Sequence, residues 1–520
     1  MVFTEVHGGI TMKTILIFIM TFFIFYSSGF AQTLEERIKL LEEALKKQEE
    51  TIKAQQKLIE DLKVEIKQAK PPEQPVAAQP KETPPPAEQE PPKTSTLEKV
   101  REVLLPKEGE PKRDILSYQV GGATLRLVDV SFDALIAAGT STATDPQLQF
   151  LEGGGHDPRK RGFTVQNVEL SFTGAVDPYF NAESHIVYFI DPVTGESAVE
   201  LEEAFFTTQK LPYGLQLKGG QFFTEFGIIN PSHPHQWDWL DQPIINTRLF
   251  GPDGMRAPGA RLGWLAPLPW FSELYFSMQN ANGETMSSFL ANESFFVERS
   301  IGGRPFVPRE VRSLNDLVYL GRWVNSWDLS DEVTMKLGFS GLYGPNATGP
   351  DGQTLIYGAD LKMKWRPANN FRGWPFLLFQ SEIMRRNYYA DSFFLPGSGG
   401  TNDIRLPKET LIDWGLYAQL LWGFRSNWAA GIRFEYASGS GYDVHVNGQT
   451  GNVEVLSRNL DPFRDDRYRI SPLIEWLPTE FSRFRLQYNY DRYKLPGWRD
   501  ASSVWLGIEF MLGAHAAHKY

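Results

Sequence analysis

From about residue 123 to the C-terminus, short stretches of the chain alternate polar and apolar side chains. A period of two admits β-strands and excludes helices, whose period is 3.6. In residues 428–436, Trp428, Ala430, Ile432, Phe434 and Tyr436 fall on one face, and Gly431, Arg433 and Glu435 on the other. Residues 484–491 set Phe484, Leu486, Tyr488 and Tyr490 against Arg485, Gln487, Asn489 and Asp491. One face suits lipid and the other suits water.

About sixteen such stretches can be counted, the first near residues 123–138 and the last near 503–513. Long connections follow the odd-numbered ones (139–162, 227–258, 282–317, 390–410, 440–465). Tight connections such as VDPY, KLPYG, APLPW, LSDE and RSNW follow the even-numbered ones. An even strand count with short turns on one rim and long loops on the other is the pattern of bacterial outer-membrane barrels, whose short turns are periplasmic. The expected fold is therefore all-β: a transmembrane antiparallel β-barrel of about sixteen strands within residues 118–520, with both ends on the periplasmic side. A soluble β-sandwich also alternates, but it buries its apolar face against a second sheet and needs no aromatic collar. Here Trp365, Trp374, Trp414, Trp422, Trp428, Trp476 and Trp498 gather at strand ends, as interfacial girdles require.

The segment before the barrel reads differently. Residues 12–32, MKTILIFIMTFFIFYSSGFAQ, have one Lys, an apolar run too short to span a bilayer, and small residues before Gln32. This predicts a signal peptide over 1–31 with translation starting at Met12 and bacterial export to the outer membrane. Leu34, Ile38, Leu41, Leu45, Gln48, Ile52, Gln55, Ile59, Leu62 and Ile66 then alternate spacings of four and three, which predicts a coiled coil over 32–70. Residues 71–117 begin with a Pro-dense stretch that has no core-forming residues, a semi-extended linker. The coiled coil would reach about 50 Å at ~1.5 Å per residue, and the Pro-rich stretch about 70 Å at ~3.1 Å per residue. Together they make a periplasmic stalk suited to peptidoglycan or another periplasmic partner.

Several chemistries are excluded. There is no cysteine, hence no disulfide, thiolate metal site or Cys nucleophile. No G-x-S-x-G, H-E-x-x-H, P-loop or Rossmann fingerprint occurs, so no enzymatic activity is expected. A formal charge of -11 argues against nucleic acid as a partner.

The fifth stretch leads into a long loop containing HPHQWDWLDQP, residues 233–243. In a barrel of this size such a loop can fold inward and narrow the lumen. Trp237 and Trp239 then pack on the inner wall, while Asp238, Asp241, Arg248 and Arg256 line a constriction near 227–258 and set the field there. His233 and His235, with Asp238 or Asp241, offer an alternative: imidazole and carboxylate suit zinc, the one cofactor with a foothold in the sequence. A second pair, His515 and His518, lies at the other rim. Arg159, Lys160 and Arg161 sit in the first long loop, a solvated surface segment or an anion-attracting mouth that contacts lipopolysaccharide phosphates. Lumen positions carry Lys336, Lys362, Lys364, Arg433, Arg467, Arg469 and Arg485 alongside Glu169, Glu183, Asp360, Asp413, Glu435, Glu475 and Glu509. That mixture does not choose between cations and anions.

With the strand LRLVDVSFDALIAAGT and the terminal SVWLGIEFMLG, the barrel region resembles the porin superfamily, most nearly the phosphate-selective porins O and P. The resemblance implies a homotrimeric, water-filled channel in outer-membrane lipid. It does not carry over phosphate selectivity, because the lumen is mixed in charge. GQFFTEFG, NPSHPHQWDWLDQP, RLFGPDGM and GAHAAHKY also resemble outer-membrane proteins described as zinc-regulated TonB-dependent receptors. A TonB-dependent barrel needs 22 strands and a plug, more than about 400 residues can supply. Three functions follow as expectations: a porin-like channel for passive diffusion of small hydrophilic solutes or ions, a metal-binding or metal-uptake receptor, and an envelope tether.

Overall fold

The computed structural model describes residues 117–120, 123–126, 128–192, 194–298, 300–395, 404–441, 444–446, 453–455, 463–494 and 497–513. The expected signal segment, the coiled coil, nearly all of the linker, and His515 and His518 lie outside them.

Sixteen strands form one closed antiparallel barrel. They are β1 (Asp129–Ser141), β2 (Gly162–Ala175), β3 (Phe180–Ile190), β4 (Ser197–Thr208), β5 (Leu215–Phe223), β6 (Arg256–Leu265), β7 (Phe271–Asn280) and β8 (Leu317–Ser330). The rest are β9 (Val333–Pro345), β10 (Gln353–Trp365), β11 (Phe376–Ala390), β12 (Glu409–Arg425), β13 (Trp428–Ser440), β14 (Arg467–Thr479), β15 (Ser482–Lys494) and β16 (Trp498–Gly513). Each strand pairs with its sequence neighbours, and β16 closes on β1 with Ile508 opposite Ile136. The first expected strand splits in two: Ala123–Arg126 pairs with Ser117–Val120 in a separate hairpin, and the barrel begins at Asp129.

Alternation supplies both surfaces. Phe339, Ile432, Leu486 and Phe510 point outward and are 45%, 51%, 48% and 47% exposed, a surface that only lipid satisfies. Aromatic rings sit where strands meet the tight turns, as in Trp428 stacked on Trp476 with centroids 6.0 Å apart. In the turn between β12 and β13, Asn427 adopts φ 69, a left-handed conformation that Asn tolerates better than most residues. Among the described residues no helix is long and apolar enough to cross a membrane.

Long connections that carry helices fold into the barrel at residues 142–161 with α1 (Asp145–Leu151), 224–255 with α2 (Ile244–Phe250) and 281–316 with α3 (Glu293–Glu298). The wall receives them with inward apolar residues towards the long-loop rim of β8–β11. Leu320, Leu342, Ile356 and Met384 form one buried cluster with Leu249 and Phe250 of α2 and with Phe289 and Leu290. Burying each large side chain there contributes about 1.5–3 kcal/mol. The barrel thus has a dry, packed region inside it, where the resemblance implied a water-filled channel narrowed by one loop.

Candidate functional site

Loop 224–255 leaves the wall at the end of β5 and crosses the barrel. At its start the Ile228 amide donates to Glu382 of β11, and the Gly227 amide to Ser340 of β9 at 3.4 Å. At its far side the Trp239 indole donates to the Ser471 carbonyl of β14 at 2.9 Å, and its ring packs with Leu378, Leu421, Ala429 and Leu473. Gln487 of β15 accepts from the Leu240 amide at 2.8 Å. Arg485 donates to the Trp237 carbonyl at 2.9 Å. Glu435 of β13 accepts from the Ile244 amide at 2.6 Å, the first residue of α2.

The charges expected to line a wet constriction are mostly buried. Asp241 meets Arg433 at 2.5 Å and also bonds Arg469, Gln487 and Asn489. Burial pushes its carboxyl up, but Arg433 and Arg469 outweigh that and hold it below the usual carboxylate range. Arg469 further binds Glu152 and Asp491, and Arg467 binds Asp491 and the carbonyls of Phe150 and Leu151 in α1. Arg485 pairs with Glu509 at 2.5 Å. Arg248 spends its guanidinium on the carbonyls of Arg464 and Asp465. Arg256 opens β6 and pairs with Glu200. Of the four charges expected at the constriction, Asp238 alone is half-buried, accepting from Gln419 at 2.9 Å. The reason is geometric: a loop laid against polar strand faces brings its carbonyls and carboxylates within reach of inward arginines, and dry ion pairs form in place of a water-lined ring.

The first long loop departs from the expected solvated segment in a similar way. Residues 151–158 dip inside, and Gly153 and Gly155 allow it, since a Cβ at either would sit 2.9 Å from Thr247 Oγ1 or 1.8 Å from Asp253 Oδ1. Lys160 and Arg161 remain exposed, with Arg161 on Asp145 at 2.7 Å, and Arg159 is half-buried.

Where the crossing loop passes β2–β4, the histidines gather. His233 Nδ1 lies 2.9 Å from Glu202 and 3.4 Å from Glu169, and its Nε2 lies 2.9 Å from Glu203. His235 Nδ1 is 3.1 Å from Glu169. His185 of β3 places Nδ1 2.9 Å from Glu169 and Nε2 3.1 Å from Glu183. His156 approaches Glu202 at 3.4 Å. Four of the eight histidines in the chain therefore converge. Burial works against a charge on His233, but Glu169, Glu202 and Glu203 outweigh it and hold its imidazole well above the usual histidine range. Asp238 and Asp241 lie away from this group, on Gln419 and the arginines. Glu202 and Glu203 both face inward because of a bulge: His185 pairs with Glu203 and Ile186 with Leu201, leaving Glu202 as the extra residue. Sequence reasoning passed over His185, His156, Glu202 and Glu203. The signals were there, in His185 sharing a face with Glu183, and in a Glu-Glu pair that interrupts the β4 alternation.

The lysines behave differently from the arginines. Lys336 of β9 faces the lumen and is exposed, and Lys362 and Lys364 of β10 are only half-buried. Lys336 stands directly opposite Lys362, and Lys364 opposite Thr334.

A closed barrel of sixteen antiparallel strands, apolar outside and polar within, is the architecture of outer-membrane porins. Solved structures of similar form include the outer-membrane channel DcaP of Acinetobacter baumannii (8% identity, 74% of this chain and 96% of that one, TM-score 0.44). OprB of Pseudomonas putida is similar at 10% identity, 74% and 94% coverage and TM-score 0.43. The anion-selective porin of Comamonas acidovorans matches at 8% identity, 74% and 100% coverage and TM-score 0.41. Likenesses at this level add no argument to the barrel itself. No protein-family model matches the chain. An uncharacterized protein of Aquifex aeolicus (strain VF5) is 30% identical over 385 residues, 71% of this chain and 73% of its own length. The chain belongs to the family of that protein.

Proposed function

We propose that the protein is a narrow outer-membrane channel for small hydrophilic solutes and ions, restricted by loop 224–255 and favouring anions over cations. The observation that carries this reading is the lysine strip of β9 and β10. Like charges directly opposite across a strand pair are destabilising, yet Lys336 and Lys362 face each other on the lumen side where water reaches them. Arg433, Arg467, Arg469 and Arg485 are buried against carboxylates, so they add little net field. Lys336 and Lys362 therefore supply positive charge to the wet part of the lumen, and charge at a low-dielectric wall concentrates the ion of opposite sign.

The test is planar-bilayer recording of the refolded protein across a salt gradient. The reversal potential should carry the sign of anion preference, and Lys336→Gln/Lys362→Gln should move it towards the cation side without loss of insertion. A protein that inserts and never conducts would overturn the channel reading. A reversal potential unmoved by the double substitution would overturn the role of the lysines.

A further inference from the structure

The histidine cluster at the root of the crossing loop has the makings of a metal centre. Glu169, His185 and His233 each offer one ligand atom, and these atoms lie within 4.8 Å of one another. Ligands of a tetrahedral zinc ion stand about 2.0–2.2 Å from the metal, so their mutual separations fall below that limit. Each imidazole also has its other nitrogen held by a carboxylate: His185 Nε2 by Glu183 at 3.1 Å and His233 Nε2 by Glu203 at 2.9 Å. That is the outer-sphere arrangement that orients metal-binding histidines and raises their basicity. Charge points the same way. Glu169, Glu202 and Glu203 are buried, and among the described residues every ion-pair partner they have is a histidine. The rings of His185 and His233 stand 4.4 Å apart, which brings a ligand atom of each beside Glu169. One dication at that point offsets two of these carboxylate charges.

We propose that Glu169, His185 and His233 bind one divalent cation of the zinc class, with the fourth position facing Glu202 and His235, and that the ion staples loop 224–255 to the β2–β4 wall. Nitrogen and carboxylate donors in a four-coordinate setting suit zinc and exclude magnesium, which demands octahedral oxygen. The proposal stands apart from the channel reading, because metal binding and conductance are measured separately and either can fail alone.

The full-length protein, purified folded in detergent and stripped with chelator, is titrated with Zn²⁺ and Mg²⁺ by calorimetry, and with Co²⁺ by visible absorption. The expected result is one saturable Zn²⁺ per chain, no competition by Mg²⁺, and the intense d–d bands of tetrahedral Co²⁺. His185→Ala and Glu169→Gln should abolish the site, while His445→Ala, in a separate hairpin, should leave it unchanged. Glu183→Gln, which removes only the carboxylate behind His185, should lower affinity about 10–100-fold. The wild-type Co²⁺ spectrum keeps the test independent of whether the ligand variants fold. Absence of saturable Zn²⁺ binding or of the tetrahedral spectrum in folded wild type overturns the proposal, as does binding unchanged in both ligand variants.

Discussion

Asp241 keeps two buried guanidiniums in one place. Arg433 and Arg469 converge on it, with Gln487 and Asn489 filling its remaining acceptor positions at 2.7 and 3.0 Å. Asp241→Asn preserves shape and removes the charge, leaving two cations desolvated with less to compensate them. The expected cost is about 3–5 kcal/mol, the range for breaking a buried pair from one side. It should be read as a lower urea midpoint for unfolding in detergent with an unchanged slope. A loss of only ~0.5 kcal/mol would mean that water screens the network as it does a surface pair. The residue types of this network were legible as lumen charge, because Arg433, Arg469 and Arg485 fall on the polar face of clean alternations. Their partners were not legible, because Glu152 and Asp241 come from loops hundreds of residues away in sequence, and no period relates a loop residue to a strand.

At the scale of elements, sequence and structure agree most closely in the strands. A period of two leaves each stretch one way to face, so all sixteen strands fall where the alternation sets them, apart from the split of the first. What the alternation concealed was the packed interior. Its trace is the apolar run at the start of β8, where Val318 and Leu320 face in while Leu317 and Tyr319 face out. A strand covered on both faces loses its alternation. The crossing loop itself depends on missing side chains. A Cβ on Gly507 would lie 2.1 Å from Leu240 Cδ2, and one on Gly431 would lie 2.9 Å from the Trp239 ring. Gly507→Val should therefore expel Leu240 from the wall and loosen the loop while the strand persists. Single-channel conductance should rise severalfold and become noisier. Conductance equal to wild type would show that this loop does not limit the passage.

At the largest scale the barrel is an inverted arrangement, in which a single-residue step along a strand passes from the apolar outer face to the packed interior. Leu506, near the middle of β16, is 41% exposed and stands between Leu486 of β15 and Ala138 of β1, while the next residue, Gly507, lies against Leu240 inside. A basic side chain at the bilayer midplane on the outer face costs about 2–4 kcal/mol. Leu506→Arg should lower folding stability by that amount in phospholipid vesicles, measured as a shift of the urea midpoint. Lys336→Leu on the wet inner face removes one of two opposed charges and should leave stability unchanged or slightly raised. The contrast between the two variants isolates the sidedness of the barrel from hydrophobicity as such, since one adds a charge and the other adds an apolar group. If Leu506→Arg unfolds at the wild-type midpoint, the apolar belt is not in contact with lipid, and the membrane orientation on which the channel reading depends falls with it.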